Sequence, residues 1–126
     1  MPVYGGKILS VDDDPDITNL LQGELEKQGY QVKVCDGGEE VIAVMRSFMP
    51  ELLIMDVMLP GIDGYSLTNQ IGEDPELCGI PLIIMSALTT SRSMFETMPR
   101  VAAFFSKPFS NEDFIEAVKN ALAKKE

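Results

Sequence analysis

The sequence predicts one α/β domain, a parallel sheet of five strands with helices on both faces. Three observations carry this. Short apolar runs alternate with amphipathic stretches along the whole chain of 126 residues, the pattern of repeated β-α units. Two of the runs, LLIMDV (52–57) and PLIIMSA (81–87), are apolar almost throughout, as strands covered on both faces are. Gly29, Pro50 and the Pro60-Gly61 pair stand between runs and separate them. Right-handed crossovers narrow the topology further.

The elements follow in order. KILSV (7–11) reads as a buried strand. Asp14-Pro15 looks like an N-cap followed by proline at the first helical position. Ile17, Leu20, Leu21 and Leu25 then recur on one helical face, and Gly29 fits the stop. QVKVCD (31–36) alternates, as a strand with a more exposed face does. Glu39 to Phe48 places Val41, Ile42, Met45 and Phe48 on one helical face, ended by Pro50. LLIMDV is the third strand, MLPGIDG a loop, and Tyr65 to Ile71 a short helix. PLIIMSA is the fourth strand. Thr89 to Met98 is weakly helical, and Ala102 to Ser106 is a short fifth strand. Ser110 to Asp113 forms a capping box. It opens a last helix with Phe114, Val118, Ala121 and Leu122 on one face. Residues 1–126 read as a single domain with its core at about 6–124, without linker or repeat.

Composition excludes several functions. The net charge is −10 with a pI near 4.3, so nucleic acid and anionic membrane are repelled. No apolar run reaches the length of a membrane span, and no signal peptide opens the chain. The expected setting is soluble and cytoplasmic. Cys35 and Cys78 match no metal or redox spacing and read as reduced and buried. There is no histidine, which removes Ser-His-Asp triads, Cys-His pairs and histidine metal sites. The chain cannot supply a phosphohistidine of its own.

In a sheet of this kind, ligand chemistry gathers at the carboxyl ends of the strands. Strand one ends in Asp12 and Asp13, strand three in Asp56, strand four in Ser86 and strand five in Lys107. Each alone has a plain structural reading. Asp14 is a helix cap, a serine after a strand is often a turn residue, and Lys107 could be any surface lysine. Together they put three acids, a hydroxyl and a cation on one rim. Clustered carboxylates repel unless a hard divalent cation sits among them. Magnesium, with its preference for oxygen ligands, suits the set.

In this order, VDDD, LLIMDVMLPGIDG, IIMSA and FFSKPF resemble the receiver domain of two-component response regulators, over essentially the whole chain. The resemblance implies a flavodoxin-like sheet with strand order 2-1-3-4-5. It implies that Asp56 accepts a phosphoryl group from a phosphohistidine on a partner histidine kinase or phosphotransfer protein. Asp12, Asp13, Asp56 and the backbone carbonyl of Met58 would hold Mg2+. Lys107 and Ser86 would meet phosphoryl oxygens, and the Lys107-Pro108 bond would be cis. Ser86 and the aromatic Phe104 would carry the switch, with Phe104 also readable as a plain core aromatic. The surface formed by the fourth helical segment, the fifth strand and the last helix would then address a downstream protein. The protein would be a switch that assists its own phosphorylation and dephosphorylation, and not an enzyme. The resemblance leaves room for a phosphorylation-dependent dimer.

Two regions depart from the family pattern. Most receivers place Gly-Ala before the fifth strand, whereas METMPRVAAFFSKPF has Arg100-Val101-Ala102-Ala103 there. Pro99 and the missing glycine predict a short or displaced fourth helix and an unusual output face. Met58 and Leu88, each two residues beyond a site residue, would flank the path of hydrolytic water. Two bulky apolar side chains there predict slow loss of the phosphoryl group, unless Leu88 points elsewhere.

Competing readings remain at this stage. The opening methionine and complete last helix favour a free-standing switch over a receiver excised from a larger regulator or hybrid kinase. The complete set of Asp12, Asp13, Asp56, Ser86 and Lys107 disfavours a phosphorylation-independent interaction module. An aspartate-using phosphatase would need a second acid close after the nucleophile, and Asp56-Val57-Met58 has none.

Overall fold

The computed structural model describes residues 6–12, 14–35, 40–56, 64–86, 101–106 and 110–124. Five strands, β1 (Lys7–Val11), β2 (Gln31–Cys35), β3 (Leu52–Asp56), β4 (Leu82–Ser86) and β5 (Val101–Ser106), form one sheet. Their order is β2-β1-β3-β4-β5 and every pairing is parallel. The described helices are α1 (Pro15–Lys27), α2 (Val41–Phe48), α3 (Gly64–Glu73) and α4 (Asn111–Lys124).

The three central strands explain the two apolar layers. Successive side chains of a strand point to opposite faces. Ile8, Leu52, Ile54, Ile83 and Met85 therefore meet Leu21 and Leu25 of α1 and Phe114, Val118 and Ala121 of α4. Leu9, Val11, Leu53, Met55, Leu82 and Ile84 face Val41 and Met45 of α2 and Leu67 and Ile71 of α3. All residues of β3 and β4 are buried, as their unbroken apolar runs require. Burying each large aliphatic side chain contributes about 1.5–3 kcal/mol. Phe105 tilts against Phe114, with ring centroids 5.6 Å apart, and ties β5 to α4.

Local signals behave as expected at several ends. Asp14 caps α1, its carboxylate accepting from the Asp16 N–H, with Pro15 in the first turn. Gly29 follows the helix with φ 97°, a left-handed conformation that costs glycine little. The Asp113 N–H donates to Ser110 Oγ across 3.4 Å at the start of α4.

Other expectations need correction. Leu20 is 45% exposed, because the apolar stripe of α1 is narrower than its sequence and only Thr18, Leu21 and Leu25 are fully buried. Helix α3 begins at Gly64, a residue expected in the loop, and runs two residues past Ile71. Strand β5 starts at Val101, one residue early. Its pairing with β4 jumps from Leu82↔Val101 to Ile83↔Ala103. The extra residue, Ala102, makes a bulge within the atypical stretch. Cys78 is only half-buried, whereas Cys35 is buried, and both are free thiols. The expected fourth helical segment, 89–98, lies outside the described residues, as do Pro99 and Arg100.

Candidate functional site

The register of β1 on β3 decides what meets at the carboxyl rim. Ile8 pairs with Leu52, and each later residue keeps step to Val11↔Met55. One further step sets Asp12 beside Asp56. Paired residues of a parallel ladder share a face, so both carboxylates belong to the α1–α4 side of the sheet.

Asp12 stands one residue beyond β1 and is 1% exposed. Its N–H donates to the Cys35 carbonyl across 3.2 Å, so the end of β2 anchors it. Its Oδ1 accepts the Asp14 N–H at 3.0 Å. This is an Asx turn of the kind aspartate favours after a strand. The Asp14 carboxylate repeats the device on the Asp16 N–H. The run of acids at the entry to α1 is thereby divided. Asp12 turns into the fold, while Asp14 is exposed and serves the helix.

Asp56 closes β3 and is 6% exposed. Ser86 closes β4 and is fully buried. The chain thus delivers two carboxylates and a hydroxyl to the rim from three adjacent strands. Asp13, Met58, Lys107, Pro108 and Leu88 lie outside the described residues. Among the described residues no three acids, cysteines or histidines gather closely enough to hold a metal. Phe104 is 8% exposed and packs in the layer with Ile84 and Met55.

Two residues at this end went unread in the sequence. Ser106 pairs in register with Ser86. Ser10 lies two residues before Asp12, and its buried hydroxyl has no hydrogen-bond partner among the described residues. Ser106 directly precedes Lys107, but the Ala102 bulge sets its register, and spacing alone does not disclose that. A separate groove of about 330 Å3 runs between α1 and α4, lined by Glu24, Gln28, Glu112, Ile115 and others. No site residue predicted from the sequence lines it. No helix among the described residues is long and apolar enough to cross a membrane.

Comparison with known proteins agrees with this geometry. The family model described as response regulator receiver domain matches residues 8–119. The chain is 30% identical to protein PilH of Pseudomonas aeruginosa over 118 residues, covering 93% of this chain and 98% of PilH. It is 36% identical to the transcriptional regulatory protein YbdJ of Bacillus subtilis, covering 94% of this chain but 51% of YbdJ. It thus spans about half the length of that relative. Among solved structures, response regulator protein TrrA of Thermotoga maritima, in complex with Mg2+-BeF, superposes with a TM-score of 0.81 at 29% identity. That match covers 92% of this chain and 98% of TrrA.

Proposed function

Since the chain belongs to the response regulator receiver domain family, we propose that it is a phospho-acceptor switch with Asp56 as the acceptor. The observation that carries this reading is that Asp12 and Asp56 each follow directly on the paired Val11 and Met55 at the rim, both almost wholly buried. A carboxylate pair there serves no fold purpose that apolar residues would not serve better.

The reaction follows from the residues. A carboxylate oxygen of Asp56 attacks phosphorus on a phosphohistidine. The P–N bond breaks, its electron pair returns to the imidazole nitrogen, and an acyl phosphate forms on Asp56. The chain has no histidine, so the donor is a partner histidine kinase or phosphotransfer protein. Such transfers need positioning and charge stabilisation above all. Lys107 and the Ser86 hydroxyl would donate to the phosphoryl oxygens.

The donor set fits a hard cation. Asp12 and Asp56 offer only oxygen, and Asp12 is oriented by the Asp14 N–H that donates to its Oδ1. With Asp13 and the Met58 carbonyl they would hold Mg2+, which when bound offsets negative charge on phosphoryl oxygens. The Mg2+-BeF complex of TrrA supports this reading.

The output is conformational. A phosphoryl group adds acceptor oxygens that Ser86 can reach. Strand β5 and α4 would contribute to the surface that a downstream protein reads. The test is intact mass after incubation with magnesium and acetyl phosphate. Wild type should gain one phosphoryl group and Asp56→Ala none. Failure of wild type to gain it, together with failure to form a magnesium beryllofluoride complex, would sink the proposal.

A further inference from the structure

A hydroxyl inside β1 lies next to the two carboxylates of the rim. Among the described residues, Ser10 Oγ is the one buried side-chain oxygen without a hydrogen-bond partner. Its ladder neighbours, Val34 on β2 and Ile54 on β3, are apolar. Thr18, on the buried face of α1, gives its own hydroxyl proton to the Pro15 carbonyl. The polar groups that share the face of Ser10 are the acids. Asp12 follows two residues later on the same strand, at a Cα spacing of about 6.6 Å. Asp56 stands two residues beyond Ile54, diagonally across from Ser10. Side chains of a strand lean along its direction, so serine can lean towards Asp12. Resting on the cation site proposed above, we infer that Ser10 is a positioning residue for that site. Its O–H donates to the Asp12 carboxylate when a cation holds Asp12 and Asp56 together.

The argument is one of cost and placement. A buried hydroxyl without a partner destabilises the fold, and an alanine would avoid the cost. A carboxylate offers about four lone-pair positions, so a bond from Ser10 displaces neither the Asp14 N–H nor any other contact of Asp12. Like charges drive the two carboxylates apart, and the Asp14 N–H draws Asp12 towards the start of α1. A cation between them reverses the direction of that force. Carboxylates that hold a metal are themselves oriented by hydrogen bonds from residues behind them, and Ser10 stands directly behind Asp12 on β1. A hydroxyl costly in the metal-free protein and matched in the loaded one adds the difference to cation affinity.

The experiment is a magnesium titration followed by backbone amide NMR shifts, with thermal melting in chelator and in magnesium. Wild type, Ser10→Ala and Ser10→Thr would be compared. Ser10→Ala should bind magnesium at least about tenfold more weakly, the worth of a hydrogen bond to a charged group. In chelator it should nonetheless melt above wild type. A purely structural role would shift melting alike with and without magnesium. Ser10→Thr keeps the hydroxyl, so its magnesium affinity should stay within about threefold of wild type even where the added methyl lowers its melting temperature. Equal affinity of Ser10→Ala and wild type would overturn the inference and leave the acceptor role of Asp56 intact. So would losses of equal size in Ser10→Ala and Ser10→Thr, which would assign the effect to packing. A lower melting temperature of Ser10→Ala in chelator would overturn it too, since the hydroxyl would then be matched without the cation. If wild type binds no magnesium, the cation site itself falls, and this inference falls with it.

Discussion

At the scale of single residues, Ser10 and Asp12 show how differently two buried polar groups are treated. Asp12 receives the Asp14 N–H and gives its own N–H to Cys35. The Ser10 hydroxyl, on the same face and equally buried, has no hydrogen-bond partner among the described residues. An unmatched buried hydroxyl costs about 1–3 kcal/mol, and the methyl of alanine would fit the same space. Ser10→Ala should therefore stabilise the protein by about 1 kcal/mol, raising the melting temperature by roughly 3–5 °C. Thermal unfolding checks this, and a fall in melting temperature would mean that the hydroxyl has a partner worth keeping. Residues such as Asp12, Asp56 and Ser86 were legible in the sequence because each ends an unmistakable apolar run. Ser10 and Ser106 were not. One is a small polar residue inside a strand, and the other acquires its neighbour only through the bulge at Ala102.

At the scale of elements, helix ends and faces decide what a substitution does. The pattern of α1 offered Leu20 and Leu21 as equals, because a stripe at helical spacing has no marked edge. The packed helix separates them: Leu21 is buried between α1 and the sheet, while Leu20 is 45% exposed. Leu21→Ala should cost about 2–5 kcal/mol, and Leu20→Ala less than about 0.5 kcal/mol. Denaturant midpoints of the two variants measure the difference, and equal losses would contradict the packing described. The end of α2 carries the opposite lesson. Met49 adopts φ 52° with its side chain 49% exposed, and its N–H closes the helix on the Met45 carbonyl at 2.8 Å. A left-handed conformation costs a side-chain-bearing residue roughly 1–2 kcal/mol. Met49→Gly should recover much of that, seen as a higher denaturant midpoint with an unchanged slope. Pro50 announced the stop in the sequence. It did not announce that methionine would occupy the position where glycine is usual.

At the scale of the whole molecule, the sheet and the charge oppose each other. The parallel order was legible because apolar runs covered on both faces leave few alternatives, and the rim followed from where those runs end. What spacing could not supply was the register that sets Asp12 beside Asp56. That register brings two acids together in a chain whose net charge is already −10. Relief of their repulsion should therefore be visible in global stability. With a chelator present, Asp56→Asn should melt above wild type, since one buried negative charge is gone. Added magnesium should reverse the order. A ligand that binds only the folded state stabilises it, by about 1.4 kcal/mol at ten times its dissociation constant. Wild type should gain that and Asp56→Asn much less. Sodium chloride at matched ionic strength separates the two sources of stabilisation. Screening acts on all the surface acids of both proteins alike, whereas a bound cation acts only where the carboxylates meet. If sodium chloride raised the melting temperature of wild type as much as magnesium does, general screening would account for the gain. The pairing of Asp12 and Asp56 would then lose its claim to be a cation site.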